Sequence, residues 1–167
     1  MGMIHLLLAK WRGANVIIIE PKANRQEFAK KLGADAVVDP QTQDPITAVK
    51  ELTNGDGADV VITSLSNPQL IENSLPLVKK GGVFSIFGGP PAGHRISLDP
   101  RWIHYQEITI TGSFASTPQD FREALYLISS NEIDAGSIIT DRFTLDNILD
   151  AVERARSLEM IKGMVIM

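Results

Sequence analysis

Gly2-Met3-Ile4-His5-Leu6-Leu7-Leu8-Ala9-Lys10-Trp11, followed after the Gly13-Ala14 break by Asn15-Val16-Ile17-Ile18-Ile19-Glu20, is the stretch on which the fold turns. The leucine run favours a helix, the β-branched run favours a strand, and Glu20 closes that strand on an acid. A dinucleotide-binding unit has a strand, a glycine turn that lets backbone approach pyrophosphate, and a helix whose N-terminus faces that phosphate. A second strand then ends on an acid that takes the ribose hydroxyls. Residues 2–20 hold the latter part of such a unit, with Gly2 in the place of its third glycine. The expectation is an α/β fold of Rossmann type, a doubly wound parallel sheet lacking its first strand.

Working outward, short β-branched runs alternate with helical runs, the pattern of a parallel sheet with covering helices. The punctuation predicts helices over residues 4–11 and 24–32, the latter stopped by Gly33, with strands over 16–20 and 36–38. Asp44-Pro45 and Asn67-Pro68 read as cap plus first-turn proline, opening helices to about residues 53 and 80, with Gly81-Gly82 ending the second. The near-continuous apolar run 58–63 is expected to be a strand covered on both faces. A strand over 83–87 runs into Gly88-Gly89-Pro90-Pro91, a looser stretch covers 92–106, and a strand follows over 108–112. Thr117-Pro118 opens a helix to about residue 130, with Phe121, Ala124, Leu125 and Ile128 at helical spacing. Beyond residue 139 the rhythm changes, with a helix over 145–157 and a final apolar run over 164–167.

Composition narrows the function. With 167 residues, 44% of them hydrophobic, and a net charge of −4, the chain has the size of one domain and no basic excess for nucleic acid or an anionic membrane surface. No apolar run approaches the roughly 18 residues of a membrane span. The sequence has no cysteine, which excludes disulfides and thiolate metal ligands within it and fits a reducing cytoplasm.

Glu20 is the sharpest chemical signal: a carboxylate there accepts from both ribose hydroxyls and repels a 2′-phosphate, favouring NAD over NADP. Its alternative is a solvated strand end. Arg25, five residues on, can reach the ribose or stack on adenine; Lys22 and Arg25 also read as a 2′-phosphate pocket, against which Glu20 argues. Gly2 permits close approach to the first amides of its helix. Ser64, Leu65, Phe87, Gly88 and Gly89 end two strands, where ligands sit in open α/β sheets; ordinary loop geometry is the competing reading. His5, His94 and His104 are scattered and form no obvious triad, and no metal-ligand spacing is present, so no catalytic residue and no metal ligand is assigned.

Taken with Ala29-Lys30-Lys31-Leu32-Gly33-Ala34-Asp35, Gly57-Ala58-Asp59-Val60-Val61, Leu77-Val78-Lys79-Lys80-Gly81-Gly82, residues 104–114 (His104 to Phe114) and Thr117-Pro118-Gln119-Asp120-Phe121, the order of features resembles the coenzyme domain of the medium-chain, zinc-type alcohol and polyol dehydrogenases, in particular the sorbitol dehydrogenase-like ones. The tail, Ile139 to Phe143 and Ile161 to Ile166, resembles the segment that returns to the catalytic domain of that family. The resemblance implies a truncated dinucleotide-binding domain over residues 1–138 and a returning segment over 139–167. It implies hydride transfer between NAD and a secondary alcohol in the full-length enzyme, with the zinc, proton relay and substrate pocket in an N-terminal domain outside this chain. On it, Gly2, Glu20, Arg25, Ser64, Leu65, Phe87, Gly88, Gly89, Ser113 and Phe114 face the cofactor, and Arg95-Ile96-Ser97-Leu98 resembles the edge strand through which two such domains pair as a homo-oligomer.

Two other readings remain open at this stage. One is a stand-alone adenine-nucleotide-binding or regulatory module without redox activity. The other is a methyltransferase-like fold, against which the segments beyond residue 100 speak. A strand missing from the middle of a doubly wound sheet would also leave two interior edges without partners, so self-association is expected.

Overall fold

The computed structural model describes residues 1–158 and 160–167. Its elements run α1 (Gly2–Trp11), β1 (Ile17–Ile19), α2 (Ala23–Lys31), β2 (Ala36–Val38), α3 (Pro45–Leu52), β3 (Ala58–Thr63), α4 (Pro68–Ser74), β4 (Val78–Ile86), α5 (Pro100–Gln106), β5 (Thr109–Gly112), α6 (Pro118–Ser129), β6 (Asp141–Thr144), α7 (Ile148–Arg156) and β7 (Gly163–Ile166). The chain divides into two compact units. The first holds Met1–Ile18, Lys22–Val37 and Pro118–Met167, and the second holds Ile19–Pro21 and Val38–Thr117.

The second unit is built on a parallel sheet in the order β3-β4-β5. Phe84, fully buried on β4, packs with Ile71 and Leu75 from the α4 side, with Val78, and with Ile108. Three Asx-Pro pairs open its helices. Asp44 accepts from the Thr47 N–H at 2.9 Å, Asn67 from Gln69 and Leu70 N–H at 2.9 and 3.3 Å, and Asp99 from Arg101 N–H at 2.8 Å. Each satisfies first-turn donors that have no intrahelical partner, while the proline lacks the N–H that would otherwise be left over. Asn67→Ala is expected to cost about 1 kcal/mol, read as a lowered denaturant midpoint; an unchanged midpoint would contradict the capping role.

In the first unit, Leu6 and Met3 of α1 pack on Ala29 of α2 and on Ile138. The Lys10 ammonium lies 2.8 Å from Asp35, whose carboxylate also accepts from the Val16 N–H at 2.6 Å. These two donors hold the Asp35 carboxyl below its usual range. Gly33, at φ +90°, ends α2, and the Ala34 N–H returns to the Ala29 carbonyl at 3.0 Å. The parallel pair β6-β7 lies in this unit too.

Several expectations are corrected. Residues 67–80 are not one helix: α4 ends at Ser74, a 3-10 turn spans Leu75–Leu77, and β4 already starts at Val78. Pro76 supplies no N–H to continue the helix, and buried Val78 pairs with Ala58 instead. The register then jumps to Val60 opposite Val83, so the strand expected over 83–87 is the second half of β4. Gly82 sits at this irregularity, where an added Cβ would meet the Asp59 carbonyl oxygen at 2.9 Å. The looser stretch 92–106 contains α5, opened by the same Asx-Pro device. Arg95-Ile96-Ser97-Leu98 forms no strand: Ile96 packs on the core, and the Ser97 N–H is taken by the Glu72 carboxylate at 3.1 Å. A 3-10 turn over Leu145–Asn147 precedes α7, so helix 145–157 is shorter than expected.

β3 is covered on one face only. Val61 meets the core and Thr63 is buried, whereas Val60 and Ile62 on the opposite face are 54% and 42% exposed. Among the described residues β1 pairs only with β2, and β3 only with β4, leaving one edge of β3 without a ladder partner.

Candidate cofactor site

The register of the second unit's sheet sets Thr63 opposite Ile86 and Ile86 opposite Gly112. The three parallel strands therefore end level, and the chain leaves the sheet at Ser64, Phe87 and Ser113 side by side. Carboxyl ends of parallel strands are where open α/β sheets take ligands, because the loops there part and leave backbone groups unpaired. The Phe87 and Gly88 N–H groups both donate to the Thr63 carbonyl, at 3.1 and 2.8 Å, binding the loop after β4 to the end of β3.

Two adjacent glycines at this edge differ in kind. A Cβ on Gly88 would lie 2.4 Å from the Leu65 carbonyl carbon and oxygen, so the two loops press backbone to backbone. A Cβ on Gly89 would meet nothing within 4 Å. Gly89 is demanded neither by its φ nor by packing among the described residues, and it faces open space; at the same sheet edge Leu65 is 55% exposed and Phe114, after β5, 99%. Ser64, Leu65, Phe87, Gly88, Gly89, Ser113 and Phe114 thus share one edge of one sheet. Glu20 belongs to the same unit: it follows β1, is half-buried, and its N–H donates to the Val38 carbonyl at 3.1 Å.

Gly2 and Arg25 belong to the first unit. Gly2 is the first residue of α1, whose first turn carries no acid and whose cap position offers no side-chain acceptor. That end of the helix keeps its positive dipole uncompensated by side chains of its own. Arg25 on α2 places Nη2 3.5 Å from the Leu158 carbonyl, while its Nε is buried with no hydrogen-bond acceptor. Lys162 shares a cavity with Arg25 and was not singled out from the sequence, where it is one lysine before a glycine with no local motif. Burial, then the fields of Arg25 and Lys162, lower the Met1 amine below its ordinary value.

The histidines have other settings. Burial, then the neighbouring Met1 amine, lowers the His5 imidazole. His104 stands edge-on to Tyr105 at 4.8 Å, with the Arg101 guanidinium over the same Tyr105 ring at 4.7 Å. Among the described residues, no group of three histidines, aspartates or glutamates is placed to hold a metal ion. None of the described helices is long and apolar enough to cross a membrane.

The profile of a family described as zinc-binding dehydrogenase matches residues 1–130. D-arabitol-phosphate dehydrogenase of Enterococcus avium is 34% identical over 99% of the chain and 47% of its own length. Sorbitol dehydrogenase of Bacillus subtilis is 32% identical over the same shares. The chain thus spans about half the length of the curated relatives it matches. Among solved structures, benzyl alcohol dehydrogenase of Acinetobacter calcoaceticus superposes with a TM-score of 0.89 at 26% identity, over 98% of this chain and 46% of that one. A Sinorhizobium meliloti protein described as a zinc-binding dehydrogenase bound to NADP superposes with a TM-score of 0.90 at 29% identity, over 99% and 49%. By the extent of the profile match and the identity to these relatives, the chain belongs to the zinc-binding dehydrogenase family.

Proposed function

We propose that this chain is the NAD(H)-holding part of a zinc-type medium-chain alcohol or polyol dehydrogenase, whose full-length form transfers hydride between NAD and a secondary alcohol. The level carboxyl edge of β3, β4 and β5, with Gly89 open beside it, is the observation that carries this reading. Within the second unit, a sheet edge with bare backbone and a strand-ending acid support this reading. The first unit, taken by itself, opens α1 without a side-chain cap and holds an Arg25 Nε without an acceptor. Bound NAD would supply the hydride acceptor. The chain's own contribution is to hold it: Glu20 accepts from the ribose hydroxyls, the α1 amides and Arg25 take negative charge, and the residues after β3, β4 and β5 shape the wall. No residue of this chain is assigned to catalysis. The zinc that activates the alcohol in the family belongs to a domain outside this chain, so the chain alone is inactive on this reading.

Residues 139–167 are proposed as the segment returning toward that domain. NAD over NADP rests on the Glu20 carboxylate, which opposes a 2′-phosphate. A homo-oligomeric state is proposed from apolar surface left open within the units, chiefly Phe121, Leu125 and Ile128 on α6 and Val60 and Ile62 on β3. Cytoplasmic residence is proposed from the cysteine-free sequence.

Calorimetric titration with NADH, NADPH, ADP and S-adenosylmethionine tests the reading. NADH is expected to bind most tightly; binding of the methyl donor alone would overturn the proposal, and ADP binding as tightly as NADH would shift it to an adenine-nucleotide module. Glu20→Ala is expected to raise the NADH dissociation constant about tenfold, by loss of charge-assisted hydrogen bonds, and to leave NADPH no weaker than before. Equal weakening of both cofactors would remove Glu20 as the selecting residue.

A further inference from the structure

Gln119, Arg122, Glu123, Tyr126 and Leu127 recur at helical spacing along one face of α6, offset from the apolar stripe of Phe121, Leu125 and Ile128. With Trp11 and Arg12, from the end of α1, they line a cavity of about 450 Å³. These residues all belong to the first unit. The volume falls in the range of roughly 300–1,000 Å³ that small-molecule sites occupy.

Contacts inside the unit set the walls. The Trp11 indole donates from Nε1 to the Glu132 carboxylate at 3.1 Å, and the Arg12 guanidinium lies over the indole at 4.7 Å. On α6 the Gln119 amide donates to the Glu123 carboxylate at 2.7 Å and accepts from Arg122 Nη2 at 3.2 Å. Glu123, the acidic lining residue, is thus turned to Gln119, and Arg122 keeps most of its five donors to spare. Among the described residues, the ion pairs of this unit, Lys10–Asp35, Lys30–Glu27 and Arg154–Asp141, include neither Arg12 nor Arg122. Two guanidiniums without a carboxylate therefore stand beside an apolar wall of Trp11, Tyr126 and Leu127.

We propose that this cavity is a binding site for a small aromatic carboxylate, with the aryl ring against Trp11, Tyr126 and Leu127 and the carboxylate on Arg12 and Arg122. Guanidinium and carboxylate match as planar forks, and an aryl ring uses the aromatic wall that a bare inorganic anion would leave wet. An uncharged ring would leave both guanidiniums without a counter-charge. The site shares no residue with those assigned to the cofactor and does not rest on that reading.

The test is calorimetric titration of the full chain at low salt with naphthalene-2-carboxylate, its uncharged analogue naphthalene-2-methanol, and inorganic phosphate. The carboxylate is expected to bind at least about tenfold more tightly than either of the others. Arg12→Ala and Arg122→Ala are each expected to weaken it about tenfold, with Arg122→Lys restoring part of the loss. Tyr126→Ala is expected to weaken it too, and Tyr126→Phe, which keeps the ring, to leave it unchanged. All four positions lie on exposed surface, so the variants are expected to fold, with circular dichroism as the check. Arg101→Ala, which removes a guanidinium over a ring in the other unit, is the control and is expected to bind as wild type does. No binding by wild type, equal binding of the uncharged analogue, or full affinity in both arginine-to-alanine variants would overturn the proposal. Displacement of the carboxylate by NADH would overturn it as well, by placing the probe in the cofactor site. NADH binding by the same variants is read separately, so loss of this site leaves the cofactor reading standing and the reverse holds equally.

Discussion

Phe84→Ala is expected to lower the unfolding free energy by about 3–5 kcal/mol, the usual range for removing a buried phenylalanine from a core that relaxes only in part. Phe84 has no exposed surface and stands on the middle strand of the second unit's sheet, opposite Val61 on β3 and Ile110 on β5. Its ring contacts the buried cluster of Ile71, Leu75, Val78 and Ile108. Loss of the ring removes the apolar contact that this cluster shares, and the level strand ends lie only two residues further along β4. Denaturant unfolding with far-ultraviolet circular dichroism measures the effect. Against a total stability of about 5–15 kcal/mol for an ordinary domain, this is a large fraction of the whole, and the variant is expected to unfold at a markedly lower denaturant concentration than wild type. A loss under about 1 kcal/mol would mean that Phe84 does not organise the unit's core.

The local devices were the legible ones. Asp44-Pro45 and Asn67-Pro68 announce α3 and α4 because a cap and a first-turn proline act within four residues, and the structure forms the corresponding hydrogen bonds. Asp99-Pro100 carries the same signal for α5, but Pro90, Pro91 and Gly93 just before it mark a loop and mask it. Gly81-Gly82 reads locally as a helix stop, but α4 ends at Ser74, before Pro76. What decided the issue was the pairing of Val78 with Ala58, a contact across the sheet that no local rule contains. The candidate site divides in the same way. Ser64, Phe87 and Ser113 were legible as strand ends, whereas their common level follows from ladder register. Lys162 carries no local signal because Arg25, with which it shares a cavity, lies on α2, far away in sequence. Helical spacing likewise told which face of α6 is apolar but not what covers it: Phe121 is 68% and Leu125 55% exposed.

The paired substitutions Gly88→Ala and Gly89→Ala are expected to separate folding from ligand binding at the same turn. A methyl on Gly88 would be driven to 2.4 Å from the Leu65 carbonyl carbon and oxygen and 2.9 Å from its nitrogen. These are backbone atoms held by the Thr63 hydrogen bonds to Phe87 and Gly88, so no flexible side chain can yield. The cost is expected at about 3 kcal/mol, the upper end for forced overpacking, with cofactor binding lost as the loops after β3 and β4 spread. A methyl on Gly89 enters open space without a positive φ. Stability is then expected to hold or to rise by about 0.4–1 kcal/mol, because alanine narrows the unfolded ensemble. If Gly89 is bare so that a dinucleotide can approach its backbone, its variant keeps the melting temperature of wild type and loses NADH affinity about tenfold. Thermal unfolding and NADH fluorescence titration on both variants read the two quantities separately. Unchanged NADH binding in a stable Gly89→Ala would move the cofactor away from this turn, and a fully stable Gly88→Ala would show that the Leu65 backbone can retreat.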